Sequence, residues 1–323
     1  MKGLFTQGVV VLLERAPSVR ELKRALHGKW TVHENLDEEF NWFSGRVSLS
    51  GSGPDDRSTA AVAVYDCSWP DHMGDAQDEP MLLAAWTMGH LGPTTWPGAL
   101  QRATDHAAWW PNARDAVDRH RAFVVLRTSY ASGDPSDPVM PPGYNPLREI
   151  RGLTTGRRWL LDLPSAICAF NPNGEVLVDA STFDRFVSEA KSLRVDPLRL
   201  WLNVRVWSKG EWYAADTVGL AQFDSIDHEA CAPIDAIDPN DVVMMLYNMA
   251  LYATSEPAVI RSGDTTDGPG GVWQTLTSRD GVAAPPRPTY RWLPLFEASA
   301  PGSLVPDGEV EVPTQPWIPS PPT

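Results

Sequence analysis

Cysteine is scarce in this chain: Cys67, Cys168 and Cys231 are odd in number and far apart. That excludes a disulfide framework and a thiolate metal centre, and leaves small buried hydrophobes as the expectation. Long apolar runs are missing too. The longest, Gly8 to Leu13 and Ala122 to Leu126, fall well short of the ~20 residues that cross a bilayer, so no membrane helix is expected. The opening "MKGLFTQGVVVLLERAPS" has an apolar stretch after Lys2, but Thr6 and Gln7 interrupt it, Arg15 follows closely and no small-x-small cleavage pattern is present. A first strand, with cytoplasmic residence, is expected there rather than a secretory signal. Positive charge is in deficit: 27 Lys and Arg face 41 Asp and Glu, for a net charge of −14. Such a chain repels a phosphate backbone, so nucleic acid is not an expected partner and a basic protein or a small ligand is a better one. HExxH, GxSxG, GxxxxGKS/T and CxxC are all absent, so no catalytic residue, metal or cofactor is assigned by motif.

What is present is enough for a substantial core. The chain has 323 residues, 42% of them hydrophobic, which fits two modest domains or one large one. Prolines break it at "SGDPSDPVMPPGYNP" and again from Ala283 onward. The expected divisions are therefore an N-terminal half over 1–131, a linker over 132–146, a C-terminal half over 147–282 and an extended tail over 283–323. In that tail Trp292, Leu293, Leu295, Phe296 and Trp317 are the residues expected to pin it to the body.

Each half reads as strand, helix, strands, helix, strand. "GVVVLLE" is a buried strand, followed by a helix that Ser18 and Glu21 open as a capping box. "RVSLSGS", "TAAVAVYDC" and "RAFVVLR" are strands, and "WPGALQRATDHAAWW" is a helix. In the second half "SAICAFN" is the opening strand, and "STFDRFVSEAKSL" a helix with Phe183, Phe186, Val187, Ala190 and Leu193 on one side. "LRLWLNVRVW" and "WYAADTVGLAQFD" make a hairpin around Lys209 and Gly210, and "DPNDVVMMLYNMALYA" is a helix opened by Asp238 and Pro239, with Val242, Met245, Leu246 and Met249 in one stripe. The fold class is α+β: two related halves, each a mostly antiparallel sheet with helices packed on one face, plus a Pro-rich C-terminal extension.

Several stretches together resemble a bacterial family known as domain of unknown function 4261. They are Trp110 and Pro111 ahead of a short helix, His120 before an apolar strand, Thr217, Gly219, Leu220 and Phe223 in "DTVGLAQFD", and Gly263, Asp264 and Thr265 in "SGDTTDGPGG". The resemblance spans roughly residues 80 to 277 and departs where the family often has a second His, here Ala122 and Phe123. It implies a fold and little chemistry. Its association with secreted-toxin loci implies an immunity-like or effector-associated role.

Alternation within residues 198 to 207 places Leu198, Leu200, Leu202, Val204 and Val206 on one face, and Arg199, Trp201, Asn203, Arg205 and Trp207 on the other. Indole and guanidinium side chains need cover, either from the chain itself or from a partner. Arg205, Trp207, Trp212 and Tyr213 at the hairpin end are the candidate partner-binding residues. A second reading is a hydrolase-like enzyme using His120 or the acidic loop 66–79, which gathers Asp66, Asp71, His72, Asp75, Asp78 and Glu79. A third is an adaptor of a secretion apparatus. The favoured expectation is a non-catalytic protein that binds a basic toxin or effector.

Overall fold

The computed structural model describes residues 2–26, 33–35, 45–52, 58–131, 140–141, 143–255, 260–295 and 304. Residues 132–139, and most of the tail with Phe296 and Trp317, lie outside them. The chain forms two compact units, residues 2–201 and 202–323.

In the first unit the elements run β1 (Gln7–Leu13), α1 (Val19–Leu26), β2 (His33–Asn35), β3 (Gly45–Ser52), β4 (Thr59–Tyr65), α2 (Pro80–Thr87), α3 (Ala99–Asp105), α4 (Ala113–Val117), β5 (Ala122–Ser129), α5 (Pro146–Leu160), β6 (Ala166–Asn171), β7 (Val176–Val178) and α6 (Ala180–Leu193). The strands make one antiparallel sheet in the order β2-β3-β4-β5-β1-β6-β7. All seven residues of β1 are buried. Val10 and Leu12 join Phe123, Val125 and Phe170 beneath Leu82, Trp86, Leu100 and Ala103, while α5 packs along β1 and β5. A strand covered on both sides reads as continuous apolar sequence rather than as alternation, which is what "GVVVLL" is. The capping box holds: the Ser18 backbone N–H donates to Glu21 Oε2 at 2.7 Å and the Glu21 N–H donates to Ser18 Oγ at 3.3 Å. On α6, Phe183, Phe186 and Ala190 are buried as expected, but Val187 and Leu193 point outward.

The second unit holds β8 (Asn203–Lys209), β9 (Trp212–Val218), β10 (Asp227–Pro233), α7 (Pro239–Ser255), β11 (Thr265–Gly268), β12 (Gly271–Ser278) and β13 (Thr289–Pro294). Its strand order is β11-β12-β13-β10-β9-β8. The β10–β13 pair is parallel and the others antiparallel. Helix α7 lies across β8, β9 and β10. Val242, Met245 and Leu246 enter a core with Tyr213, Ala215, Ala230, Trp273 and Trp292, and Met249 packs at its margin.

Two expectations about organisation are corrected. The division falls after Trp201, not within 132–146, because β6 pairs with β1 and so carries β6, β7 and α6 into the first sheet. The expected tail also contributes an interior strand. Pro285, Pro286 and Pro288 confine their effect to the approach, and the proline-free "TYRWL" fills the gap between β12 and β10.

Candidate functional site

The expected ten-residue strand at 198 to 207 is also two things. Leu198–Leu200 is a 3₁₀ turn that follows Pro197, and the strand begins only at Asn203. Trp201 is fully buried in the first unit, where its Nε1–H donates to Thr154 Oγ1 at 2.8 Å. From Asn203 onward the alternation holds. Val204 and Val206 face α7, and Arg205 and Trp207 face away from it.

That far face is covered by the chain itself. Arg205 grips Asp216 in a two-pronged pair, Nε to Oδ1 at 2.9 Å and Nη2 to Oδ2 at 2.5 Å. Asp216 also accepts from Arg287 Nη2 at 2.5 Å, and Arg287 Nε donates to Asp227 Oδ2 at 2.9 Å. Beside them Arg291 donates to Glu229, which also accepts from the Val282 N–H at 2.6 Å and from Thr289 Oγ1 at 3.1 Å. Burial alone would strip charge from Arg287, but Asp216, Asp227 and Glu229 more than offset it and hold the guanidinium charged. Trp212, Ala214, Cys231 and Leu304 form a small apolar cluster alongside, with Trp207, Val282 and Leu293 packed against it.

The candidate partner-binding residues are therefore corrected. Arg205 and Trp212 are buried and Trp207 is half-buried, because residues 279–288 and Leu304 supply the cover that an outside partner was expected to give, and Tyr213 is buried on the other face. Tyr213 faces α7 instead, its phenol pushed up by burial and then by Asp238 and Asp241 at the start of that helix.

The motif residues also have structural tasks. Asp227 gathers Thr217 Oγ1 at 2.9 Å, the Leu220 N–H at 3.0 Å and the Gly219 N–H at 3.4 Å. Gly219 sits at φ +125°, where a side chain is strained. Leu220 and Phe223 are buried. At the second motif, Asp264 Oδ2 accepts from the Arg261 N–H at 2.7 Å, the Gly263 N–H donates to Thr275 O at 2.7 Å, and Thr265 begins β11. Trp110 packs at the rim of the first unit's core, and Pro111 is exposed.

His120 spends both ring nitrogens on the fold. Nε2 accepts the Trp69 N–H at 2.9 Å, and Nδ1 bonds the Val117 carbonyl. Burial holds the ring below its ordinary pKa, so it stays neutral at pH 7 with the proton on Nδ1. His120→Ala should lower stability by about 1–3 kcal/mol, because the buried Trp69 N–H and Val117 carbonyl lose their partner. Chemical denaturation measures it; function lost at unchanged stability would instead make His120 a reacting group. In the acidic loop, Asp71 accepts from the Leu100 and Gln101 N–H groups at 2.9 and 2.8 Å, Asp75 from those of Gln77 and Asp78 at 2.7 Å, and Glu79 pairs with His72 at 2.9 Å. Among the described residues no group of three His, Cys, Asp or Glu is placed to hold a metal ion.

His228 and Cys231 lie an odd number of residues apart on β10, hence on opposite faces. His228 Nδ1 accepts from Trp292 Nε1 at 3.1 Å, and complete burial depresses the ring to about 3. The ring is neutral when folded and free to protonate when unfolded. Its contribution to stability is full above pH 6.5 and declines as pH falls from there towards about 3. His228→Phe should flatten that acid limb in a pH series of unfolding free energies; an unchanged slope would show that other groups carry it.

These turns, the Asp227 bond set and the Arg287 fork all belong to one stretch of chain. Residues 216–293 match the family model described as Domain of unknown function (DUF4261). The DUF4261 match takes in Thr217, Gly219, Leu220, Phe223, Gly263, Asp264 and Thr265, as the resemblance implied, and lies wholly within the second unit. Trp110, Pro111 and His120 fall outside the matched residues. No curated protein and no solved structure matches the chain.

One surface within the DUF4261 segment escaped the sequence reading. Helix α7 has an inward stripe, but apolar residues also take up much of its outward side, interspersed with Asn240, Asp241 and Asn248. Met244 is 49% and Tyr252 51% exposed, and Val243, Tyr247 and Leu251 are half-buried. Asp241 is its only charged residue. The signal was available: a 17-residue helix without a single Lys, Arg or Glu has little charge to turn to water. Among the described residues no helix is long and apolar enough to cross a membrane.

Proposed function

We propose that this is a non-catalytic protein that binds and masks a basic protein, as an immunity-like partner of a toxin or effector from a bacterial secretion locus, and that it acts in the cytoplasm. The observation that carries this reading is the distribution of charge. Residues 202–323 hold 16 Asp and Glu against 6 Lys and Arg, so 10 of the 14 net negative charges fall in this unit. Arg205, Arg287 and Arg291 are consumed internally by Asp216, Asp227 and Glu229. That leaves Lys209, Arg261 and Arg279 against thirteen acids. A field of one sign attracts the opposite sign and speeds its association.

The hydrolase-like alternative loses support, since His120, Asp71 and Asp75 are engaged in holding turns and helix ends. The test is calorimetric titration of the purified protein with the products of the neighbouring genes, at low and high salt. A basic partner whose affinity falls about tenfold or more as salt rises is the expected result. Neighbours that bind without regard to salt, or substrate turnover lost on replacing His120, would overturn the reading.

A further inference from the structure

The outward face of α7 is the place where such a partner docks: we infer that it receives an amphipathic helix of the basic protein, apolar residues seated along α7 and Lys or Arg at the end that meets Asp235, Asp238 and Asp241. This inference rests on the reading above and specifies its surface. Three observations lead to it.

The first is shape and composition. Asp241, Met244, Asn248 and Tyr252 follow one another at intervals of three and four residues, and all four are exposed. They make a straight stripe along a helix about 25 Å long, enough for several turns of a second helix to lie against. The second is what anchors the stripe. The opposite side of α7 is fixed to the sheet through Val242, Met245 and Leu246, so the outward residues ride on a rigid support and little order has to be imposed on binding. The third is charge. Asp235, Asp238 and Asp241 are exposed at the N-terminal end of the helix, and α7 has no cation of its own. An anionic visitor would be repelled by those carboxylates and a purely apolar one would gain nothing from them; a cationic amphipathic helix engages both parts of the surface.

The probe is a synthetic peptide of about five helical turns built from Leu and Lys alone, with Leu at i, i+3, i+4 and i+7 so that one face is apolar. Its controls are the same peptide with Glu for Lys, and one of Lys and Ser. The full chain should bind the Leu/Lys peptide at least tenfold tighter than either control. Met244→Asp combined with Tyr252→Asp should weaken that binding tenfold or more with an unchanged melting temperature. Asp235→Asn with Asp241→Asn should weaken it less and reduce its salt dependence.

If the Met244/Tyr252 variant binds as well as the parent, the docking surface is elsewhere, and the broader reading of an acidic masking protein stands. If the parent binds neither Lys-containing peptide, that broader reading fails as well. Equal binding of the Leu/Glu peptide overturns the charge argument. A parent that self-associates in sedimentation, and becomes monomeric with Tyr252→Asp, makes a second copy of the chain the occupant and overturns the assignment.

Discussion

Arg287→Met should lower the stability of the second unit by about 3–5 kcal/mol, the largest effect expected of any single substitution in it. Arg287 is almost completely buried and bonds two carboxylates. It also donates to the carbonyls of Thr217 at 2.8 Å and Pro285 at 2.9 Å. Methionine fills much of the same volume, so packing is not what is lost. The cost comes from leaving Asp227 without its only salt-bridge cation in the described structure and Asp216 with Arg205 alone. Arg287→Lys should recover only part of it, because an ammonium cannot span both carboxylates and the two carbonyls in one plane. Urea titration of the two variants beside the parent protein reads the effect. A loss below about 1 kcal/mol for Arg287→Met would mean that the network contributes little to the fold.

Trp201→Ala should cost about 3–5 kcal/mol in the first unit, the penalty for emptying a large aromatic site in a packed core. Trp201 has no exposed surface, and Thr154 Oγ1, which accepts its indole N–H, itself donates to Ile150 O at 2.7 Å. Trp201→Phe should be markedly milder, since it keeps a ring and gives up one hydrogen bond, about 1 kcal/mol of which is net. Equal destabilisation by the two variants would show that the indole N–H, rather than the ring, carries the site. Neither substitution should alter binding to a partner, because Trp201 lies outside the acidic unit.

Trp201 also marks where sequence reasoning stopped working. Alternation of apolar and polar residues identifies a strand when it persists, and from Asn203 to Lys209 it did: Val204 and Val206 face the helix, Arg205 and Trp207 the other way. Over Leu198 to Leu200 the same pattern is too short to separate a strand from a single 3₁₀ turn. Elements whose signals are local were legible, as with the Ser18–Glu21 capping box and the Asp238–Pro239 start of α7. Sheet membership was not, because β6 joining β1 and β13 entering beside β10 depend on contacts far apart in sequence. The far face of β8 was correctly singled out as needing cover. Its cover came from residues 279–288 and Leu304, which no periodicity could assign. On α7, counting only the stripe that matched a core concealed that Val243, Met244, Tyr247, Leu251 and Tyr252 put apolar surface on its other sides too.

The interior place of β13 makes completion of the second unit's sheet wait for the last of its described strands to be synthesised. Until residues 289–294 are available, β10 and β12 each present a row of unsatisfied amides and carbonyls in the middle of what will become the sheet. The first sheet closes with β6 and β7, more than a hundred residues earlier in the chain, so it can fold while translation continues. A premature stop between β12 and β13 would yield a finished first unit trailing a sticky, half-built sheet, which is a substrate for aggregation or proteolysis rather than a shorter working protein.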